Sequence, residues 1–226
     1  MKNDISQNFA SEYQGTLCEV LTADNRLLFV GEIGHYDKAF NELQVNLRRG
    51  SSTPQGMIFH TEVKLSLHPA GMRDQVVLFR GLVSRCSQEF WRVELTDYIS
   101  SRENRGSFRQ NVKTSGVVRR LCADGNPEGE SYPCILVDVS LTGIGLQCGK
   151  LYQPKEKLCL SEITLLKGGT QYTFLCRVVR RENIEKTDQY KYGCGFLEMS
   201  GRQEDQLCRD ILALQAQSIR ERQRKL

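Results

Sequence analysis

The chain has 226 residues, of which 39% are hydrophobic and 26% are charged, and its formal net charge is +4. This composition is that of a folded globular protein and excludes a disordered chain, and the charge is too small for a protein that coats nucleic acid. The polar start and the lack of eighteen consecutive apolar residues argue against a signal peptide and a membrane span, so we expect a cytoplasmic protein. The length favours two small domains over one.

Alternation of apolar and polar residues dominates the first hundred residues. It is clear where Leu43, Val45 and Leu47 are separated by polar residues, and it recurs over residues 63–68. Further β-like runs cover residues 16–21, 26–33, 76–83 and 91–95. Six short strands at this close spacing predict a small antiparallel barrel, to which we assign residues 1–98.

A polar stretch over residues 97–104 separates this region from a second series of strands. It has little to bury, and we place a linker at residues 99–110. The runs that follow predict a second antiparallel barrel or closed sandwich, with strands at 117–121, 134–137, 144–148, 158–160, 172–179 and 190–196. After Ser200, an N-cap with Gln203 three residues later, the pattern becomes helical, so one helix ends a domain of residues 102–222.

The reactive residue types form no site that the sequence reveals. No two of the nine cysteines lie closer than eleven residues apart, and the three histidines are scattered. Because zinc sites and catalytic pairs need closer or patterned spacing, we interpret the cysteines as small buried hydrophobic residues. The sequence also contains neither a nucleophile elbow nor a metalloprotease motif. We therefore expect no metal, no cofactor and no enzyme.

Two short patterns carry the chemistry of the chain. The first is Arg105-Gly-Ser-Phe-Arg109, and the second runs from Asp138 through Ser140 to Gly143. A guanidinium can fork onto the O6 and N7 edge of guanine or onto a phosphate, and a carboxylate can accept from guanine N1 and N2. Residues two apart on a strand share a face, so Asp138 and Ser140 are expected to project together. Taken alone, each pattern is also typical of a charged linker and of a turn between strands.

In this order the two patterns resemble the signature of the PilZ domain, which has RxxxR just before a barrel and D/NxSxxG within it. The run Tyr192-Gly-Cys-Gly-Phe196, ahead of the helix, is also similar to the end of that fold. The resemblance covers roughly residues 102–220. It implies an all-β architecture with a six-stranded barrel and a C-terminal helix, and it implies cyclic di-GMP as the ligand.

By this resemblance Arg105 and Arg109 bind guanine and phosphate, while Asp138, Ser140 and Gly143 form the opposing surface. Many relatives have another arginine directly before the first arginine of the motif. Asparagine stands there in this chain, which leaves open whether one ligand or an intercalated pair is bound.

The first hundred residues are similar to the N-terminal barrel of flagellar-brake (YcgR-like) members. Two tandem barrels imply that the ligand orders the linker, changes the arrangement of the barrels and so regulates a protein partner in motility, biofilm or polysaccharide control. Two alternatives stay open, a PilZ-like adaptor that binds only protein and a nucleic-acid-binding barrel. The latter requires exposed aromatic residues among basic ones, whereas Tyr172 and Phe174 lie in runs typical of a core.

Overall fold

A computed structural model of the chain describes residues 13–48, 59–68, 76–99 and 107–224. The chain divides into two compact units, the first ending at Phe108 and the second beginning at Arg109. Each unit contains one closed barrel of six antiparallel strands. The predicted fold class, two tandem antiparallel barrels with a C-terminal helix, is therefore confirmed.

The first barrel is built from short alternating strands. Their order around the barrel is β1-β2-β3-β6-β5-β4, and pairing of β1 with β4 closes it. The strands are β1 Leu17–Thr22, β2 Leu27–Asp37, β3 Glu42–Leu47, β4 Glu62–His68, β5 Val77–Cys86 and β6 Phe90–Ile99. Alternation turns one side of each strand inward, where Trp91 is fully buried and meets Phe29 edge-to-face at a centroid distance of 4.8 Å.

The second barrel has longer strands around an aromatic core. Their order is β10-β11-β12-β9-β8-β7, and pairing of β10 with β7 closes it. The strands are β7 Gln110–Leu121, β8 Pro127–Val139, β9 Gly143–Cys148, β10 Lys157–Thr164, β11 Gln171–Asn183 and β12 Tyr190–Glu198. Inside, the ring of Phe174 stacks on Tyr172 at 5.1 Å and on Phe196 at 4.8 Å. Tyr172 and Phe174 are core residues, as predicted.

The two barrels share one connectivity. If the strands are numbered within each barrel, both have the order 1-2-3-6-5-4. The hairpin between the second and third strands, and the sixth strand beside it, therefore occupy equivalent places in the two units. These are β2, β3 and β6 in the first barrel and β8, β9 and β12 in the second.

One helix, α1 (Gly201–Gln223), packs on the second unit. Ser200 is its N-cap and forms a capping box with Gln203, as the sequence predicts. Leu207, Cys208 and Ile211 are buried, and the hydroxyl of Tyr172 donates to Asp210 Oδ2 at 2.7 Å. Burial and this hydrogen bond raise the pKa of Tyr172 above its ordinary value.

The strand ends differ from the sequence prediction at the junction of the units. β6 continues to Ile99 and β7 begins at Gln110, so both strands extend into the predicted linker. The last residues of β6 are mostly exposed and the first residues of β7 are mostly polar, so neither end shows the apolar alternation by which a strand is recognised. Arg105 and Asn104 lie outside the described residues, and the assignment of a linker to residues 99–110 stays a prediction.

The cysteines lie where their apolar neighbours suggest. Seven of the nine are buried, Cys86 and Cys122 are half-buried, and all nine are free thiols. Burial raises the pKa of Cys134 to about 12, which keeps its thiol protonated and unreactive. In the described part of the chain, no helix is long and apolar enough to cross a membrane.

Candidate ligand-binding site

The turn between β8 and β9 is built around Ser140. Its N–H donates to the carbonyl of Gly143 at 2.9 Å, and its hydroxyl accepts from the N–H of Gly143 at 3.0 Å and from that of Thr142 at 3.3 Å. The residue is fully buried. β8 ends at Val139, so Ser140 lies one residue beyond the strand, and its projection on the same side as Asp138 stays a prediction. What the structure shows of Ser140 is that it holds the turn.

Arg109 and Asp138 bring the two sequence patterns into contact. Arg109 Nη1 donates to Asp138 Oδ1 at 2.9 Å, and the two side chains are 38% and 17% exposed, respectively. An ion pair this accessible contributes only about 0–1 kcal/mol to folding stability. It is therefore an interaction that a competing ligand can replace at small cost.

A glycine beneath Asp138 makes room for its carboxylate. Asp138 is paired with Gly145 of β9, and a Cβ atom at Gly145 would lie 2.6 Å from Asp138 Oδ2. Any larger residue would displace the carboxylate from its place over β9. The sequence analysis did not assign Gly145 to the site, although it lies two residues after Gly143, a spacing that places two strand residues on the same face.

The row of paired residues that begins with Asp138 and Gly145 continues across the sheet to a second arginine. Gly145 pairs with Gly193 of β12, and Gly193 pairs with Arg180 of β11. A Cβ atom at Gly193 would lie 2.8 Å from Arg180 Nε, so the side chain of Arg180 lies against this glycine. Arg180 is 57% exposed and its Nη1 is 3.7 Å from Glu182 Oε1. Neither Gly193 nor Arg180 was predicted as a site residue.

One row further along, two more glycines pair across the same strands. Gly143 is the partner of Gly195, and a Cβ atom at Gly143 would collide with the carbonyl oxygen of Cys194. We call the four residues on the outer side of β9 and β12 the glycine patch: Gly143, Gly145, Gly193 and Gly195. The patch itself carries no side chains. Gly143, Gly145 and Gly193 are nevertheless buried, and the side chains of Asp138 on β8 and Arg180 on β11 lie against Gly145 and Gly193.

This arrangement suits a planar, hydrogen-bonding, anionic ligand. Bare backbone lets a flat ring approach the sheet closely. The carboxylate accepts from ring N–H groups, and two partly exposed guanidinium groups supply forked donors for carbonyl, ring nitrogen or phosphate acceptors. Within the described residues, no group of three or more His, Cys, Asp and Glu side chains is placed to hold a metal ion.

Of the five residues predicted for the site, the structure describes four, and these lie along one end of β8 and β9: Arg109, Asp138, Ser140 and Gly143. Arg105 lies outside the described residues. The family model of the PilZ domain matches residues 103–213, which include both sequence patterns, all of the second barrel and much of α1. The chain belongs to the PilZ domain family. Its PilZ domain is the second barrel.

Several solved structures are similar to this PilZ protein over both barrels. The Bacillus subtilis inhibitor of motility MotI/DgrA is 16% identical, covering 95% of this chain and 99% of that chain, with a TM-score of 0.39. Escherichia coli YcgR, solved in complex with c-di-GMP, is 12% identical over 94% of this chain and 89% of that chain, with a TM-score of 0.43.

A third similar structure is the MrkH–c-di-GMP complex from K. pneumonia. It is 15% identical, covers 94% of this chain and 90% of that chain, and has a TM-score of 0.38. No curated protein sequence matches the chain.

Proposed function

We propose that this PilZ protein is a receptor for cyclic di-GMP and that the ligand binds on the outer face of β8, β9 and β12. The observation that carries the proposal is the contact of Arg109 with Asp138 at 2.9 Å beside the glycine patch. It joins the two halves of the family signature next to two paired strands that carry glycines.

Guanine is complementary to both members of this ion pair. Its N1 and N2 groups donate and fit the carboxylate of Asp138, while its O6 and N7 atoms accept and fit the guanidinium of Arg109. A guanine base can therefore bind Asp138 in place of Arg109, and it can bind Arg109 in place of Asp138. Arg105, from the same motif, is proposed to bind the second guanine or a phosphate.

Ser140 and Gly143 belong to the proposed site through the turn that they form. The buried hydroxyl of Ser140 holds the backbone between β8 and β9, next to Asp138. A direct bond from Ser140 to the ligand stays a prediction. Arg180 is a further proposed contact, because its exposed guanidinium lies at the opposite margin of the glycine patch from Asp138.

As a receptor, the protein is proposed to act in the cytoplasm without catalysing a reaction. Ligand binding by the arginine motif would order the segment between the barrels and change their arrangement, and this change would be detected by a protein partner in motility, biofilm or polysaccharide control. Small-angle scattering with and without cyclic di-GMP tests this step. An unchanged scattering curve at saturating ligand would contradict it.

The two alternatives predict different behaviour. An adaptor that binds only protein would carry the same fold without affinity for the nucleotide. A nucleic-acid-binding barrel would need aromatic side chains available for stacking. In the second barrel Tyr172 and Phe174 are buried in the core, whereas the exposed Phe40, Phe59 and Tyr98 lie in the first unit.

Calorimetric titration with cyclic di-GMP tests the proposal, with GTP and cyclic di-AMP as competing nucleotides. We expect saturable binding of cyclic di-GMP alone, and its stoichiometry distinguishes one ligand from an intercalated pair. Arg109→Ala and Arg105→Ala should each weaken binding about tenfold to hundredfold, the value of one forked arginine contact, with little change in melting temperature.

The first barrel offers a matched control for Arg109. Arg92 and Glu42 form an ion pair at 3.9 Å with exposures of 40% and 21%, close to those of Arg109 and Asp138. Arg92→Ala should therefore remove an equally exposed guanidinium without affecting ligand affinity. No heat from the wild-type chain at about 100 µM cyclic di-GMP would overturn the receptor proposal in favour of the adaptor.

A further inference from the structure

A second row of paired residues crosses the outer face of the second barrel, beside the row that contains Asp138. Gly143 of β9 pairs with Gly195 of β12. Gly195 in turn pairs with Arg177 of β11, and Arg177 pairs with Lys157 of β10. The row therefore leads from two members of the glycine patch directly to two cationic residues on the neighbouring strands.

The alternation of these strands turns both cationic side chains outward. The residues on either side of Arg177, which are Cys176 and Val178, are buried in the core. Leu158, the neighbour of Lys157, is buried as well. Arg177 and Lys157 are themselves exposed. Because neighbouring residues on a strand point to opposite faces, the two cationic side chains extend from the outer surface of the sheet that carries the glycine patch.

Gly195 is the accessible member of the glycine patch. It is partly exposed to solvent, whereas the other three glycines are buried. Adjacent strands lie about 4.8 Å apart, so the backbone of Arg177 is about 5 Å from that of Gly195, and the backbone of Lys157 is about 10 Å from it. Both side chains can therefore reach a phosphate that extends from a ligand bound over Gly195.

The fold gives no reason for two cations at directly paired positions. Like charges opposite each other on antiparallel strands repel and destabilise the sheet. Arg180, for comparison, has a carboxylate close by, because its Nη1 lies 3.7 Å from Glu182 Oε1. Across the residues that the structure describes, neither Arg177 nor Lys157 forms an ion pair. An anion bound between the two cations would supply the missing negative charge.

We propose that Arg177 and Lys157 bind a phosphate of the cyclic dinucleotide whose base lies at the glycine patch. Each phosphodiester of cyclic di-GMP carries a negative charge, for which the guanidinium supplies forked donors and the ammonium a point charge. A phosphate between the two side chains also removes the repulsion between them. This inference rests on the proposed function, because it assigns further residues to the same ligand.

Calorimetric titration of the full chain with cyclic di-GMP tests the proposal in three variants. Arg177→Ala should weaken binding about tenfold, because it removes the cation closest to Gly195. Lys157→Ala should weaken binding about threefold, since its ammonium lies one strand farther away. Arg119→Ala is the matched control and should bind like the wild type. Arg119 is an exposed arginine of the same barrel, but it lies on β7, where it pairs with Cys159 of β10.

Charge reversal of the effect, melting temperature and salt supply further readouts. Arg177→Lys keeps the charge and should lose less affinity than Arg177→Ala. Without ligand, Arg177→Ala should leave the melting temperature unchanged or raise it, because it removes a repulsive pair. The wild-type affinity should fall between about 50 mM and 500 mM salt, since screening weakens the attraction of exposed charges. This fall should be smaller in the double variant Arg177→Ala with Lys157→Ala.

Any of three results would overturn the proposal. The first is wild-type affinity in the double variant, and the second is an equal loss of affinity in Arg119→Ala, which would indicate a general effect of positive charge. The third is a lower melting temperature of ligand-free Arg177→Ala, which would assign this residue to the fold. These results leave the receptor proposal intact. If the wild-type chain itself fails to bind cyclic di-GMP, the proposed function falls and this inference falls with it.

Discussion

The two barrels have the same strand order but opposite surfaces at equivalent places. On the second, third and sixth strands of the first barrel, a shallow depression is lined by side chains, namely His35, Asp37, Glu42, Gln44 and Arg92. On the corresponding strands of the second barrel, the outer side carries the glycine patch. The two barrels share their connectivity, so the proposed ligand site of the second barrel depends on the glycines of two paired strands and not on the strand order.

The ion pairs beside these surfaces make the same point. Arg92 with Glu42 and Arg109 with Asp138 have nearly equal exposure, and of these two pairs the second lies beside glycines that pair across two strands. In the first barrel the third-strand residues Glu42 and Gln44 pair with Glu94 and Arg92 of the sixth strand, so side chains cover both strands. Charge alone does not distinguish the barrels, but the space next to the charge does.

A side chain placed in the glycine patch should have the largest effect on the affinity for cyclic di-GMP. In Gly145→Val the new Cβ atom would displace the carboxylate of Asp138 and occupy the space proposed for the base, so affinity for cyclic di-GMP should fall by about a hundredfold or more in calorimetry. Valine suits a strand, so the barrel should still fold. Gln44→Val, on the third strand of the first barrel, is the control and should bind normally. Equal affinity in Gly145→Val and wild type would show that the ligand binds elsewhere.

Removal of the Asp138 carboxylate should have the next largest effect on the affinity for cyclic di-GMP. Asp138→Ala deprives guanine N1 and N2 of their acceptor and should weaken binding about tenfold to hundredfold in the same titration. Glu42→Ala removes a carboxylate of similar exposure from the first barrel and should change nothing. A loss of affinity in both Asp138→Ala and Glu42→Ala would mean that the surfaces of the two barrels do not differ in the way proposed.

Arg180 should contribute less, because it lies at the margin of the glycine patch. Arg180→Ala should weaken binding about threefold to tenfold, the size of one accessible charged contact. Arg85 is the control, since it is an exposed arginine on the fifth strand of the first barrel, paired with Arg92. If Arg180→Ala and Arg85→Ala have the same affinity as the wild type, Arg180 is not part of the site.

The smallest expected effect is on folding stability, and it concerns the contact between the second barrel and its helix α1. Tyr172→Phe removes the hydroxyl that donates a hydrogen bond to Asp210. The free energy of unfolding of the second unit should therefore fall by about 1 kcal/mol in urea titrations. Because the pKa of Tyr172 is raised in the fold, its contribution is complete below the ordinary pKa of 10.0 and declines at higher pH. The difference between wild type and Tyr172→Phe should therefore shrink as the pH rises further. A constant difference would contradict this assignment.

Most of the fold could be predicted because its signal is local. Inward-facing residues alternate along each strand, and the capping box of Ser200 and Gln203 marks the start of α1. The ends of two strands could not be predicted, because the first residues of β7 are mostly polar although every second one is buried or half-buried, and the last residues of β11 are mostly exposed. The prediction therefore placed the start of β7 too late, whereas the assignment of a linker to residues 99–110 stays a prediction.

The site was predicted only as far as its residues are close in sequence. Asp138, Ser140 and Gly143 belong to one short pattern, and Arg109 follows from the family resemblance. Gly145, Gly193 and Arg180 become neighbours of Asp138 only through the pairing of four strands, which no local pattern contains. The role of Ser140 in the turn could not be predicted, because it depends on where β8 ends.

The most direct test of the receptor account is a titration of isotopically labelled full-length protein with cyclic di-GMP, followed by amide resonances. The account predicts that the amides of Asp138, Gly145 and Gly193 shift saturably, while those of Glu42 and Gln44 on the equivalent strands of the first barrel stay in place. No shift in either set, or shifts confined to the first barrel, would contradict the claim that the glycine patch of the second barrel is the ligand site.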